Sequence, residues 1–144
     1  NVSSTLATVA IPGSGAYAAS TAALETASDA LRSEVAVPGI DVVMVIPGPV
    51  ETAFRSRATD ELDALPRTDA YEAVYDLLDD WRALGGGIGA TSPASVAGTI
   101  LNAATCADPA PRYHVGPAAR LARLGEFVPA SVRDRAFGLL LRFV

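Results

Sequence analysis

The chain has 144 residues, of which half are apolar and 19% charged, and its formal net charge is −5. That composition is typical of one folded domain and excludes an intrinsically disordered segment. The acidic balance argues against nucleic acid as the main partner, and the longest apolar run is too short to span a bilayer.

Charge is distributed unevenly along the chain. Residues 1–80 carry four Arg and 13 Asp or Glu, a net −9, whereas residues 117–144 carry five Arg and two acids, a net +3. All eleven basic residues are arginines. The single cysteine, Cys106, cannot form an internal disulfide, so we expect a buried, inert thiol and a reducing, cytoplasmic location.

The first predicted elements are a strand end, a loop and a long helix. Asn1–Ser4 has the character of a strand end, and Thr5–Ala16 contains the breakers of a loop, with Ser14 placed to cap the next helix. The segment Tyr17–Val35 predicts an amphipathic helix, because one set of its residues recurs at spacings of three and four. This set consists of Tyr17, Thr21, Leu24, Ser28, Leu31 and Val35.

A buried strand follows the helix. Ile40–Ile46, continuously apolar after Asp41, has strand length and suits a strand covered on both faces of a parallel sheet, and Pro47-Gly48-Pro49 ends it. A helix joined to a strand by a short turn is half of a βαβ unit, so the fold class is α/β. Val50–Pro66 is polar, with Phe54 its only aromatic residue, and is interpreted as an exposed linker or a lid.

The remaining segments predict helices around one further strand. Asp69–Leu84 has helical spacing, and the glycines at 85–87 are expected to end it and form a joint. Ser92 and Pro93 mark the start of a helix that runs to about Cys106. Residues 112–115 predict a short strand, and residues 117–144 form a tail with helices at about 117–124 and 130–142.

Three features in this order resemble the C-terminal half of a short-chain dehydrogenase/reductase. Ser4 precedes Tyr17 by thirteen residues, Tyr17 opens a helix as YAAS, and the next strand ends in PGPVET. The resemblance implies a doubly wound, Rossmann-like parallel sheet with added C-terminal helices, so that residues 1–144 form a partial domain without its glycine-rich nucleotide-binding half. The chain opens on Asn1 inside a motif, so we expect sequence upstream of it.

The resemblance also implies roles for individual residues. Tyr17 corresponds to the general acid or base at the substrate oxygen, and Ser4 to the hydroxyl that holds that oxygen. The turn of Pro47 and Gly48 leads to Val50 and Thr52, which correspond to the contacts with the nicotinamide of NAD or NADP. Thr21 stands where the family's Tyr-x-x-x-Lys motif has its lysine.

The substitution at position 21 leaves two functions open. Thr21 can hydrogen-bond a ribose hydroxyl, but it carries no charge that would favour a phenolate over a phenol of pKa about 10. A positioned general acid or base contributes about 10²- to 10⁴-fold, so we expect a large loss. The protein is then either an impaired NAD(P)-dependent oxidoreductase of alcohols or ketones, or an inactive binding or dimerisation module. The isolated 144 residues are expected to be inactive or weakly active.

Two segments of the chain bear on its partners, the helix Tyr17–Val35 and the tail 117–144. The resemblance implies a homo-oligomer formed through the helix Tyr17–Val35, which carries small residues at Ala18, Ala22 and Ala30. The tail 117–144 mixes arginines with leucines, and it could lie on a membrane surface, cover a partner subunit or pack on its own domain. The resemblance implies a small alcohol or ketone as substrate, and the tail resembles that of family members that act on hydrophobic ones. No metal is expected, because His114 is the only histidine and has no ligand-spaced partners.

Overall fold

The computed structural model describes residues 1–83 and 89–142 of the chain. Two parallel strands form its sheet: β1 (Met44–Pro47) and β2 (Arg112–Val115), with Met44 opposite Arg112 and Pro47 opposite Val115. The chain start runs along the other edge of β1, where Val2 is paired in parallel with Val45 and the Ser3 amide donates to the Val45 carbonyl at 2.9 Å. β1 is therefore central and parallel to both neighbours, which confirms the α/β class.

β1 is shorter than the predicted strand Ile40–Ile46. Regular pairing starts only at Met44, because its partner β2 begins at Arg112. All four residues of β1 are buried, as expected for a strand covered on both faces. Ile40 lies outside the strand and is exposed. The predicted strand at residues 112–115 is confirmed.

Six helices surround the strands in the described part of the chain. They are α1 (Gly15–Glu34), α2 (Phe54–Asp63), α3 (Glu72–Ala83), α4 (Pro93–Thr105), α5 (Pro117–Ala122) and α6 (Ala130–Leu140). Short 3₁₀ turns occupy Thr5–Ala7, Asp69–Tyr71 and Arg123–Phe127. Among these described residues, no helix has the length and apolar character needed to cross a membrane.

α1 and α4 lie on opposite faces of the sheet. The Arg112 side chain of β2 reaches the acidic side chains of α1, whereas Val45 lines a hollow together with Ala103 of α4. Side chains alternate between the faces of a strand, and Val45 follows Met44, the register partner of Arg112. The buried apolar residues between the layers are Ala18, Met44, Val45, Ile46, Leu77, Ala103, Val115 and Ala119.

Several local predictions are confirmed and others are wrong. Ser92 caps α4 by accepting a hydrogen bond from the Ser95 amide, as expected. Ser14 does not cap α1, because its hydroxyl is bonded to the backbone of Ile11 in the preceding loop. The linker predicted at residues 50–66 contains α2. The glycine joint at residues 85–87 lies outside the described residues.

Two glycines allow the tail to pack on the sheet. Gly116 ends β2 with φ of 90°, and a Cβ there would lie 2.2 Å from Thr91 Oγ1. Gly48 follows β1, and a Cβ there would lie 3.2 Å from the backbone nitrogen of Ala119. The absence of a side chain at Gly48 therefore lets α5 approach the end of β1 closely, whereas its absence at Gly116 makes room for Thr91.

Cys106 does not behave as predicted. Its thiol is exposed at the end of α4 and lies 3.4 Å from the Asp108 carbonyl. The residue follows the last turn of α4, and residues 104–108 around it are all exposed. The expectation of a buried thiol was wrong because burial depends on the neighbouring elements and not on residue type alone.

Candidate active site

Tyr17 lies in the first turn of α1 and is half-buried. Its ring packs against the ring of Phe54, the first residue of α2, with 5.3 Å between centroids and planes tilted by 46°. Such a tilted pair is a favourable aromatic geometry. The segment that follows the Pro47–Thr52 turn therefore folds back over the tyrosine.

α3 completes the surroundings of the α1 entrance. Its Leu78 side chain lies against Gly13, where a Cβ would be 2.9 Å from Leu78 Cδ1. Gly13 adopts φ of 80° in the loop that leads into α1. α2 thus contacts Tyr17, and α3 contacts the loop residue Gly13 that leads into its helix.

Ser4 stands at the other end of the same loop. Its hydroxyl oxygen accepts a hydrogen bond from the Leu6 amide at 3.2 Å and so caps the turn Thr5–Ala7, which packs on α1. The preceding Ser3 is buried and donates to Glu25 Oε1 at 2.6 Å. Of the two serines, Ser4 is therefore the more accessible, whereas Ser3 is bound to the interior. Within the described residues, no hydrogen bond joins the hydroxyls of Ser4 and Tyr17.

Thr21 lies on the same face of α1 as Tyr17, but its hydroxyl is directed at the backbone of the helix. The residue is only 8% exposed, and its hydroxyl oxygen lies 3.1 Å from the carbonyl of Tyr17 and 3.0 Å from that of Ala18. The hydroxyl proton is thus already shared with the helix backbone. The contact with a ribose expected from the sequence would have to use an acceptor lone pair of a nearly buried oxygen.

Pro47 and Gly48 are built into the sheet. Pro47 is the last, buried residue of β1, and the Gly48 amide donates to the Val115 carbonyl at 3.1 Å. Because Gly48 has no Cβ, Ala118 and Ala119 of α5 can lie close to it. The Gly48 amide and the space beside its Cα are therefore used within the fold, and a cofactor contact at this turn stays a prediction.

Val50 and Thr52 offer the groups that a carboxamide needs. The Thr91 amide donates to the Pro49 carbonyl at 2.8 Å, and the Glu51 amide donates to the Thr91 carbonyl at 3.1 Å. The backbone amide of Val50, between them, faces away from Thr91. This amide has no partner among the described residues. Thr52 is exposed, and its hydroxyl oxygen accepts from the Phe54 amide at 3.3 Å, which leaves its proton available to donate. One free amide and one free hydroxyl fit the hydrogen-bonding pattern of a nicotinamide carboxamide.

A charged network, not anticipated from the sequence, ties α1 to β2. Arg112 binds both Glu25 and Asp29, the latter at 2.5 Å, and Arg32 binds Asp29 at 2.7 Å. The hydrogen bond from Arg32 outweighs desolvation, so that together with Arg112 it holds the pKa of Asp29 below its usual range. Burial alone would lower the pKa of Arg112, but hydrogen bonds to Glu25 and Asp29 raise it. Because strand and helix are far apart in sequence, no local spacing could indicate this pairing.

Two further observations concern the predicted partners. Ala18, one of the three alanines proposed for an oligomer face, is buried inside the chain, whereas Ala30 is exposed. Ala18 therefore faces the interior of the chain, and a contact of α1 with another subunit must use other residues of the helix. Among the described residues, no group of three metal-ligating side chains is close enough to hold a metal ion.

Comparison with known proteins gives matches over part or most of the chain. The family model of the short chain dehydrogenases matches residues 1–63. The uncharacterized oxidoreductase YbbO of Escherichia coli K12 is 52% identical over 52 residues, which are 36% of this chain and 19% of that protein. An NADPH-dependent 3-dehydrocapnine reductase of Ornithobacterium rhinotracheale is 29% identical over 140 residues, 94% of this chain and 48% of that protein.

A third relative is the dehydrogenase/reductase SDR family protein 7-like of Anopheles gambiae. It is 36% identical over 103 residues, which are 72% of this chain and 28% of that protein. The chain thus spans between about a fifth and a half of the length of these three relatives.

Proposed function

The chain belongs to the short-chain dehydrogenase/reductase family, and from this we propose that the protein carrying it is an NAD(P)-dependent oxidoreductase of alcohols or ketones. The observation that carries the proposal is the position of Tyr17 at the α1 entrance, under the ring of Phe54. In the chain, Ser4 stands at the start of the loop before Tyr17, and Thr52 stands at the end of the turn that follows β1. Proton transfer and cofactor contact are therefore assigned to one region of the chain.

In this proposal each residue has one task. The Tyr17 phenol gives or takes the proton at the substrate oxygen, and the Ser4 hydroxyl donates a hydrogen bond to the same oxygen. The Val50 amide and the Thr52 hydroxyl hold the carboxamide of a nicotinamide, which supplies the hydride chemistry when bound. α2 contacts the tyrosine through the Phe54 ring, which lies over one side of the Tyr17 ring.

The cofactor is NAD or NADP, and the substrate is a small alcohol or ketone. The relative that covers 94% of this chain is named as NADPH-dependent, which favours NADPH for the first assays. That name also describes a reductase, so reduction of ketones is the direction to test first. A homo-oligomer remains part of the proposal, with the outer residues of α1 such as Ala30 as its contact.

The test is the loss of hydride transfer on Tyr17→Phe. We expect NADPH oxidation in the presence of a panel of ketones to fall at least 100-fold, because the phenyl ring keeps the contact with Phe54 and loses only the acidic group. Tyr71→Phe is the matched control, since Tyr71 is exposed and outside the site. A rate that Tyr17→Phe leaves unchanged would contradict the proposal.

The alternative is a protein that binds a nicotinamide cofactor without turnover. The observation in its favour is the Thr21 hydroxyl, which is bonded to the carbonyls of Tyr17 and Ala18 and brings no charge to the site. Saturable quenching or enhancement of NADPH fluorescence, with no oxidation for any ketone of the panel, would favour the binding role. Turnover above the background rate would exclude it.

A further inference from the structure

A polar groove lies on the α1 side of the sheet, apart from the candidate active site. It has a volume of about 790 Å³ and runs between α1, β2 and the tail that follows Gly116. Glu25 and Asp29 lie on its α1 wall, and Arg123 and Arg133 lie on its tail wall. None of the proposed site residues Ser4, Tyr17, Val50 and Thr52 lines it.

The carboxylates of the groove are fully occupied. Glu25 accepts from Ser3 through one oxygen and from Arg112 through the other. Asp29 accepts from Arg32 at 2.7 Å through one oxygen and from Arg112 at 2.5 Å through the other. Each of these four oxygens already has a donor from the interior or from the same helix. The acidic wall is thus largely neutralised within the fold.

The arginines of the opposite wall have no such partners. Arg123 makes no ion pair or hydrogen bond through its side chain within the described residues. The described polar contact of Arg133 is a 3.4 Å hydrogen bond to the Thr8 carbonyl, which leaves its charge uncompensated. Arg67, by contrast, pairs with Asp63 and Asp79. Arg123 and Arg133 are thus cations of the groove whose charge no carboxylate of the described residues offsets.

We propose that this groove binds a small organic anion, a phosphate monoester or a carboxylate, through Arg123 and Arg133. Guanidinium groups bind both kinds of anion with two parallel hydrogen bonds, and the occupied carboxylates opposite do not compete for them. The volume is that of a small-molecule site and exceeds what an inorganic ion needs. The site is additional to the one built around Tyr17 and does not depend on its activity.

The test is isothermal titration calorimetry of the protein with phenyl phosphate, benzoate and inorganic phosphate, each at the same ionic strength. We expect saturable binding of phenyl phosphate or benzoate with one site per chain. Arg123→Gln should weaken it at least ten-fold, and the double variant Arg123→Gln/Arg133→Gln should abolish it. The single variant carries the test, because Arg123 makes no contact that holds the fold.

The matched control is Arg120→Gln/Arg135→Gln. It removes the same two positive charges from the tail, at exposed positions that do not line the groove. Affinity within two-fold of the unchanged protein is expected for this control. An equal loss in both double variants would mean attraction by overall charge and would overturn the proposal. So would the absence of saturable binding, or binding only to vesicles of anionic lipid.

Discussion

The two halves of α1 differ in the charges they carry and in what those charges do. From Gly15 to Leu24 the helix has no charged side chain, although it contains Tyr17. From Glu25 to Glu34 it has four, and Glu25 and Asp29 are bound by Arg112 of β2. The same helix therefore has a neutral end at the candidate active site and a charged end that fastens it to the sheet.

This difference separates two uses of electrostatics in one element. At the charged end, ion pairs fix the helix on the strand and need no ligand. At the neutral end, the chemistry proposed for Tyr17 would profit from a positive charge one turn away, and Thr21 supplies none. Under the proposed function, α1 therefore carries the tyrosine that transfers the proton without a positive charge beside it.

The largest effect is expected at the neutral end, from Thr21→Lys. Long side chains on a helix point back towards its N-terminus, so the new ammonium would lie beside Tyr17 and favour its phenolate. We expect kcat/KM for ketone reduction to rise about 100-fold. Steady-state NADPH oxidation, together with cofactor fluorescence to confirm binding, measures this.

Thr21→Met is the control for that gain. Methionine has an unbranched stem of similar size and no charge, and it must also fit a site where Thr21 is 8% exposed. We expect no increase in kcat/KM. If methionine raised the rate as much as lysine, the neutral end would be limited by packing and not by charge. If lysine gave no gain although NADPH was bound, the protein would be a binding module.

At the charged end, Arg112→Met removes the cation that joins α1 to β2. Glu25, which is 12% exposed, would lose its main partner, and Asp29 would keep only Arg32. Breaking a fully buried pair costs about 3–5 kcal/mol, and because the Arg112 side chain is partly exposed we expect about 2–3 kcal/mol. Urea unfolding with an unchanged m-value measures this loss.

Arg120→Met separates that loss from a general effect of removing an arginine. Arg120 is exposed, and its variant should stay within about 0.5 kcal/mol of the parent. Adding Glu25→Gln to Arg112→Met should restore part of the stability, because the unpaired charge is then removed. Equal destabilisation by Arg112→Met and Arg120→Met would show that the network contributes nothing to the attachment of α1.

The neutral end was more predictable from the sequence than the charged end. Tyr17 and the helix behind it follow from periodicity, and the cap at Ser92 follows from a local motif. α2 could not be predicted in this way, because its polar sequence has no side-chain cap and only a narrow apolar side. Phe54 was visible as a lone aromatic, but its contact with Tyr17 depends on the fold of the turn before it.

The burial of α1 shows the same limit in another form. Leu31 belongs to the face predicted to be buried and is 42% exposed, whereas Ser28 on that face is 1% exposed. Periodicity indicates that a face exists, but the orientation of a helix on its sheet is decided by contacts with residues far along the chain. Here those contacts come from Asn1, Ser3 and Arg112.

Ser28→Ala tests one of these contacts, with a smaller expected effect. The Ser28 hydroxyl accepts from the Asn1 side-chain amide at 2.8 Å and donates to the Leu24 carbonyl at 2.7 Å. Asn1 is exposed, so water can replace the lost partner, and we expect a loss of about 1 kcal/mol in unfolding free energy. Ser33→Ala, on the exposed side of the same helix, should change stability by less than about 0.5 kcal/mol. A larger loss for Ser33→Ala would contradict the assigned orientation of α1.

The smallest effect is the acid dependence that Asp29 gives to the charged end. Its pKa is lowered in the folded protein, first by the hydrogen bond from Arg32 and then by Arg112. A lowered pKa means that the stabilisation is complete above the ordinary value near 3.8 and is lost as pH falls through the folded-state pKa. The side chain is 44% exposed, so solvent screens the pairs and the contribution stays below about 1 kcal/mol.

Asp29→Asn should therefore reduce stability at neutral pH, and the variant and the parent should converge as the pH falls below 3.8 and through the folded-state pKa of Asp29. Urea unfolding at several pH values between 7 and 3 measures that convergence. Asp41 is exposed and lies outside the described ion pairs, so Asp41→Asn should lose stability at low pH to the same extent as the parent. A constant difference between Asp29→Asn and the parent at every pH would mean that the carboxylate acts by its shape alone. Convergence would show that the charged end of α1 holds the helix to β2 electrostatically.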